Sequence, residues 1–264
     1  MCKGGGFPCY AYRLAHTRLK ERYLANSKVA DITNRLRDAN SPLWDKVATD
    51  PFYPRFWPER LENLGHPDGY GYQKVTHPKG IFVCDMGELF GDWIPRDWQN
   101  KVFEKIREYP EHRFYLLTKQ PQNLAKFSPF PENAWVGITA TDYYMMFKAL
   151  NALAYLDGGI QAKVKFISFE PLLESVAGPR LNLASVNWVI IGACTGTRAD
   201  MATLCEKYPA LTLMPWGNRW TAQPQVSWVS EITEACAKAG IPYFLKNNLR
   251  PLLGDNLHQE MPSG

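Results

Sequence analysis

The stretch Val164-Lys165-Phe166-Ile167-Ser168-Phe169-Glu170-Pro171-Leu172-Leu173 is a short, largely apolar run that ends on a carboxylate and a proline. Runs of this kind, bounded by turn signals, read as strands buried within a parallel sheet. The same pattern recurs at residues 81–84, 114–117, 134–138, 188–191 and 243–245. Helical stretches lie between them. Residues 98–109 carry Val102, Phe103 and Ile106 at helical spacing, and residues 230–239 carry Ile232, Cys236 and Ala239 before Gly240, a helix stop. Strand–helix alternation predicts an α/β fold, a (β/α) TIM-like barrel rather than a sandwich.

Outward from these runs the chain is less regular. Residues 10–26 place Tyr12, Ala15, Leu19 and Tyr23 at helical spacing, with Arg13, Arg18, Lys20 and Arg22 on the other faces, and predict one amphipathic helix with a basic exterior. A short helix is expected at 31–39, ended by Asn40-Ser41-Pro42. Residues 50–79 are rich in proline and glycine and read as loop, with one short strand at 53–57. Counting that strand gives seven, one short of a closed barrel, and the missing one should be the first. Residues 195–225, with Trp216, Arg219 and Trp220, form an insertion at the barrel mouth and read as a packed lid. The tail after Leu249 reads as a polar terminus.

Composition narrows the class. A chain of 264 residues with a net charge of +4 and 13% aromatic side chains suits one large α/β domain, which buries roughly three quarters of its unfolded surface. Nucleic acid is permitted as a partner but not demanded. No apolar run approaches the roughly 18 residues that span a bilayer, and no charged-then-apolar segment opens the sequence, so the cytoplasm is the expected compartment. Six cysteines in a chain of this size suit metal or core roles better than a disulfide framework. The five histidines show no zinc spacing, and neither a Gly-x-Ser-x-Gly elbow nor a P-loop is found.

In a parallel barrel the loops after the strands converge on one mouth, so the residues just past each run are the candidate site. This selects Asp85 and Glu88, Thr118 and Lys119, Thr139 and Thr141, Glu170, Cys194, and Lys246 with Asn247 and Asn248. Charges isolated in low dielectric are costly, so these carboxylates and lysines should pair with one another or bind a ligand.

At the N-terminus, Cys2 and Cys9 bracket a glycine-rich loop that runs into a basic helix. Cys9-Tyr10-Ala11 with that helix resembles the end of the Cys-x3-Cys-x2-Cys-Tyr-Ala loop of radical S-adenosylmethionine (radical-SAM) proteins related to spore photoproduct lyase. Within that group the chain is similar to the phage protein gp thirty-seven/sixty-eight type. The resemblance runs through Phe56-Trp57-Pro58-Glu59-Arg60-Leu61, Ile81-Phe82-Val83-Cys84-Asp85-Met86-Gly87-Glu88-Leu89-Phe90, Leu117-Thr118-Lys119-Gln120-Pro121, Ser168-Phe169-Glu170-Pro171-Leu172-Leu173 and Phe244-Leu245-Lys246.

It implies a partial or complete radical-SAM barrel over residues 1–264 as a single domain, with residues 1–26 as cluster loop and helix. A [4Fe-4S] cluster would cleave S-adenosylmethionine, and the radical would act on an unknown substrate. Tyr10, Asp85, Glu88, Thr118, Lys119, Glu170 and Lys246 are the cofactor-binding residues it implies. In that family a strand precedes the cluster loop, whereas here Met1 precedes Cys2 directly. Either translation begins further upstream or this version of the fold has lost its first strand.

Cys2 and Cys9 fit the first and third cysteine positions, and Gly6 falls on the middle one. A site-differentiated cluster takes three thiolates and leaves one iron open. Cys194, just after Gly192 and Ala193 at the end of an apolar run, is expected on the same mouth and is the candidate third ligand. A small external ligand or an upstream cysteine competes with it. Cys84 reads as core packing, and Cys205 and Cys236 as inert. The second functional reading is a cluster-free relative that binds nucleic acid or a phage or host factor, through the helix from Arg13 to Arg22 and the aromatic insertion near Trp216 and Trp220.

Overall fold

The computed structural model describes residues 7–30, 49–62, 77–154, 159–176, 178 and 181–263. Two compact units divide them, one holding residues 9–115 and the other residues 7–8 and 116–263. Cys2, Gly6 and the helix expected at 31–39 lie outside the described residues.

The first unit carries helices α1 (Tyr10–His16), α2 (Lys20–Leu24) and α3 (Pro58–Glu62), strand β1 (Gly80–Val83), helix α4 (Arg96–Glu108) and the start of strand β2 (Arg113–Thr118). The single helix expected over 10–26 is broken in two. Thr17 turns its hydroxyl back onto the Arg13 carbonyl at 2.7 Å and leaves helical geometry, with φ −121° and ψ −100°. Of the expected apolar face Ala15 and Tyr23 are buried, whereas Tyr12 is half exposed and Ala11 is buried in its place. Nor is 53–57 a strand. Arg55 makes one isolated bridge to Val29, because Pro54 has no N–H to donate and Pro51 and Pro58 bound the segment.

In the second unit β3 (Ala134–Thr139), helix α5 (Tyr143–Ala154), β4 (Val164–Phe169) and β5 (Trp188–Ile191) follow. Then come β6 (Cys194–Gly196), helix α6 (Arg198–Lys207), β7 (Thr212–Trp216), β8 (Arg219–Gln223), helix α7 (Val226–Ala239), β9 (Tyr243–Leu245) and helix α8 (Arg250–Leu253). Gly240 ends α7 in the left-handed region at φ 67°, as the sequence predicts.

Each of the six expected apolar runs is a strand, and the six form one sheet in the order β1-β2-β3-β4-β5-β9. Near-sequential order with parallel crossovers is compatible with a partial (β/α) barrel and not with a doubly wound sheet, whose order reverses midway. The pairs β3–β4, β4–β5 and β5–β9 are parallel. The edge at β9 is covered by the tail. Leu245 N–H donates to the His258 carbonyl, Glu260 N–H to the Tyr243 carbonyl, and Gln259 Nε2 to the Leu245 carbonyl. The polar terminus is thus an edge cover.

The insertion is a second, antiparallel sheet of order β6-β8-β7, packed on α6. Gly217, at φ 57°, and Asn218 make the tight turn between β7 and β8.

Register fixes which side chains share a face. Gly137, Phe166 and Trp188 are lateral neighbours, as are Thr139, Ser168, Ile190 and Phe244 one layer further along. The first layer is aromatic: Trp188 meets Trp135 edge-on at 5.9 Å and tilts against Phe166 at 5.5 Å. Phe166 lies over Gly137 so closely that a Cβ there would fall 2.2 Å from its ring. Gly137→Ala is therefore expected to cost about 1–3 kcal/mol, since a ring wedged against Trp188 cannot move aside. Gly87→Ala, where a Cβ meets nothing within 4 Å, is the neutral control. Urea unfolding decides, and equal midpoints for the two variants would refute the packing.

Candidate functional site

The next layer along that face holds the chemistry. The ladder continues one residue past each strand, with Gly192 N–H donating to the Phe169 carbonyl and Lys246 N–H to the Ile191 carbonyl. Period-two alternation then sets Glu170, Gly192 and Lys246 on the face of Thr139 and Ser168. Glu170 Oε1 and Lys246 Nζ stand 2.6 Å apart, with their side chains 27% and 42% exposed. The central strand permits this contact. A Cβ on Gly192 would lie 3.1–3.2 Å from the Glu170 side chain, tight enough to push it away from Lys246.

Beneath the pair sits an incomplete hydrogen-bond inventory. Thr139 Oγ1 is buried with no hydrogen-bond partner among the described residues, and a buried polar atom without one is costly. Asn248 does the opposite. Its Oδ1 accepts from Ala193 N–H at 3.1 Å, its Nδ2 donates to the Ala193 carbonyl at 2.8 Å and to Thr195 Oγ1 at 3.3 Å. Its own carbonyl accepts from Gln223 Nε2 at 2.7 Å. This clamp fixes the turn from β5 to β6, immediately after Gly192. Asn248 is one of the candidates that the strand-end rule selects, and its clamping role is what the structure adds. An amide two residues past a strand-end lysine is the signal that marks it.

At the end of β2, Thr118 is buried and its hydroxyl accepts from Gln120 N–H. Lys119 lies over the Phe7 ring at 6.0 Å, and Phe7 packs against the apolar cluster of Leu173, Cys194, Met201 and Leu204. Thr141 is buried, and its carbonyl accepts from Leu173 N–H.

In the first unit the Tyr10 hydroxyl donates to the Asp85 carbonyl, which ties the start of α1 to the turn after β1. Glu88 in that turn accepts from Phe90 N–H at 3.1 Å. Cys84, expected in the core, is exposed and turns the chain out of β1 with a left-handed φ of 56°.

Cys9 is half-buried just before α1, and Cys194 is 5% exposed. Burial pushes the Cys194 thiol up to about 12, and Glu170, Asp200 and Cys205 add to the effect. Among the described residues no group of three or more His, Cys, Asp or Glu could hold a metal ion. None of their helices is long and apolar enough to cross a membrane. The basic residues Arg13, Arg18, Lys20 and Arg22 are exposed, and Trp220 is covered by Arg198 at 5.3 Å.

Fold and site define a mixed α/β protein with a parallel sheet and a charged pair at its strand ends. The chain belongs to the DUF5131 family, a protein family of unknown function, which matches residues 2–204. Among solved structures it is similar to a spore photoproduct lyase variant with bound AdoMet and dinucleoside spore photoproduct, at a TM-score of 0.39 and 8% identity. The similarity covers 69% of this chain and 61% of that one, an overlap too loose to establish a shared fold. No curated protein matches the chain.

The raised thiol has a consequence for pH. An unfolded cysteine titrates near about 8.5, so the neutral buried Cys194 stabilises the fold fully below that pH and the contribution fades as pH rises toward about 12. Iodoacetamide at about pH 8 should leave Cys194 and Cys236 unmodified in the folded protein and alkylate both in urea. Mass spectrometry reads the outcome, and labelling of folded Cys194 as fast as that of Cys9 would contradict its burial.

Proposed function

We propose that the second unit binds a ligand with an α-aminocarboxylate end, S-adenosylmethionine being the one the sequence resemblance implies. Glu170 takes the ammonium and Lys246 the carboxylate. The 2.6 Å pair over Gly192 carries this reading. Partly exposed pairs of this kind contribute about 0–1 kcal/mol to stability, so folding alone gives little reason to hold two opposite charges there. A zwitterion entering between them replaces one ion pair with two. Thr139 Oγ1, on the same face below, supports the reading as a further hydrogen-bonding group.

The resemblance also implies a four-iron cluster, and the described residues do not fit one. Three thiolates are required. Cys194 is held neutral in an apolar cluster, Cys9 is one thiol, and Cys2 lies outside the described residues. After anaerobic reconstitution, Cys194→Ala should retain as much iron per chain as the parent protein, and loss of iron in that variant would make Cys194 a ligand.

Titration calorimetry with S-adenosylmethionine tests the ligand. Glu170→Gln and Lys246→Met should each weaken binding about tenfold or more, the loss expected for one charge-assisted hydrogen bond, with thermal midpoints nearly unchanged. Undiminished binding in Lys246→Met, or no saturable binding to the parent protein, would overturn the assignment.

A further inference from the structure

The geometry points to a nucleotide-binding surface in the first unit, formed between α2 and α3 and independent of the pair proposed above. A concavity of about 340 Å3 is lined there by Arg22, Asn26, Lys28, Phe56, Trp57 and Glu59. Its size falls at the lower end of the range for small-ligand pockets, about 300–1,000 Å3.

The walls are zipped together by the backbone. Phe56 N–H donates to the Lys28 carbonyl, Asn26 Nδ2 donates to the Phe56 carbonyl, and Asn26 Oδ1 accepts from Lys28 N–H, each at 2.8 Å. Arg55 Nε adds a bond to the Asn26 carbonyl at 3.1 Å. The cleft is therefore held open before any ligand arrives, which lowers the ordering cost of binding.

Aromatic rings and cations alternate around it. The Arg22 and Arg60 guanidinium groups lie 5.3 Å and 5.0 Å from the Trp57 ring centre. Lys101 lies 5.5 Å from the Phe56 ring, which stacks on Trp98 at 5.1 Å. Arg22, Lys28, Arg60 and Lys101 are exposed, and among the described residues none of them forms an ion pair with a carboxylate. Glu59 is the one acidic side chain in the lining.

Unneutralised cations beside half-buried rings suit a ligand that joins an anion to a flat π-system. A nucleotide does so: its phosphate sits on Arg22 and Lys28, and its base stacks on the indole or on a guanidinium plane. Glu59 can accept from an exocyclic amine, which favours adenine, cytosine or guanine over uracil or thymine. The nucleotide can come free or as one unit of a single strand, and both sources present the same chemistry.

Tryptophan fluorescence and anisotropy with AMP, a single strand of about twelve adenylates and the matching duplex test the surface at about 50 mM salt. The single strand should bind more tightly than the duplex and weaken as salt rises. The double variant Arg22→Glu/Lys28→Glu should lose about tenfold or more in affinity, with its thermal midpoint unchanged and a shallower salt slope. Trp57→Ala should lose about tenfold while Trp57→Phe retains most of the binding. Glu170→Gln should bind as the parent does, which separates this surface from the ligand site at the strand ends. AMP binding that the double variant abolishes identifies the free nucleotide as ligand, and strand binding without AMP binding identifies the strand; either supports the surface. Binding of neither probe, or parental affinity in the double variant, overturns it.

Discussion

Glu170 reaches Lys246 because the strand between them ends in a residue with no side chain. The two stand one residue past β4 and β9, which flank β5, and parallel strands stand about 4.8 Å apart. Any Cβ at position 192 would fall within 3.1–3.2 Å of the glutamate's own atoms. Gly192 is thus placed by a side-chain close approach and not by a backbone conformation that only glycine adopts. The turn behind it is held as firmly, since Asn248 satisfies both the N–H and the carbonyl of Ala193. An asparagine side chain is the right length to mimic a peptide group, and this one substitutes for a ladder that the strand no longer provides.

Period two along each strand explains why the polar groups collect at one end of one face. On the opposite face Val136, Ile138, Ile167, Phe169, Val189, Ile191 and Leu245 are buried, and Lys165, near the start of β4, is half-buried among them with its ammonium donating to the Leu153 carbonyl at 3.3 Å. On the first face, Trp135, Phe166 and Trp188 fill the layer nearer the strand starts, and Thr139 and Ser168 follow. On that first face charge appears only where the strands run out and solvent is near. The tail reinforces this gradient at the far edge, where Trp188 Nε1 donates to the Glu260 carbonyl and finds the partner a buried indole needs.

Strands in this chain were legible because a buried parallel strand writes itself as a continuous apolar run. The strand-end rule then brought Glu170 and Lys246 into one candidate list, although nothing in the sequence paired them. Three features stayed hidden. The break at Thr17 depends on one hydroxyl bonding back to the Arg13 carbonyl, and threonine at that position does not disrupt helical periodicity. The small antiparallel sheet within residues 195–225 has one local signal, the hairpin turn pair Gly217-Asn218 between β7 and β8. The concavity beside Trp57 joins residues some thirty positions apart through Asn26, and long-range hydrogen bonds of that kind leave no local pattern.

The two charged surfaces differ in balance, and the balance fixes what each can recognise. Glu170 and Lys246 neutralise one another, so an ion of either sign alone would displace one partner and strand the other. A ligand with both signs suffers no such loss. Around Trp57 the cations have rings as neighbours and, among the described residues, no paired carboxylates, so a phosphate there gains attraction without breaking such a pair. Cation–π contacts hold the side chains in place at modest cost, about 0.5–1 kcal/mol at exposed sites, which an incoming anion readily exceeds. The two proposed ligands follow from this balance, a zwitterion for the matched pair and an anion for the unmatched cluster.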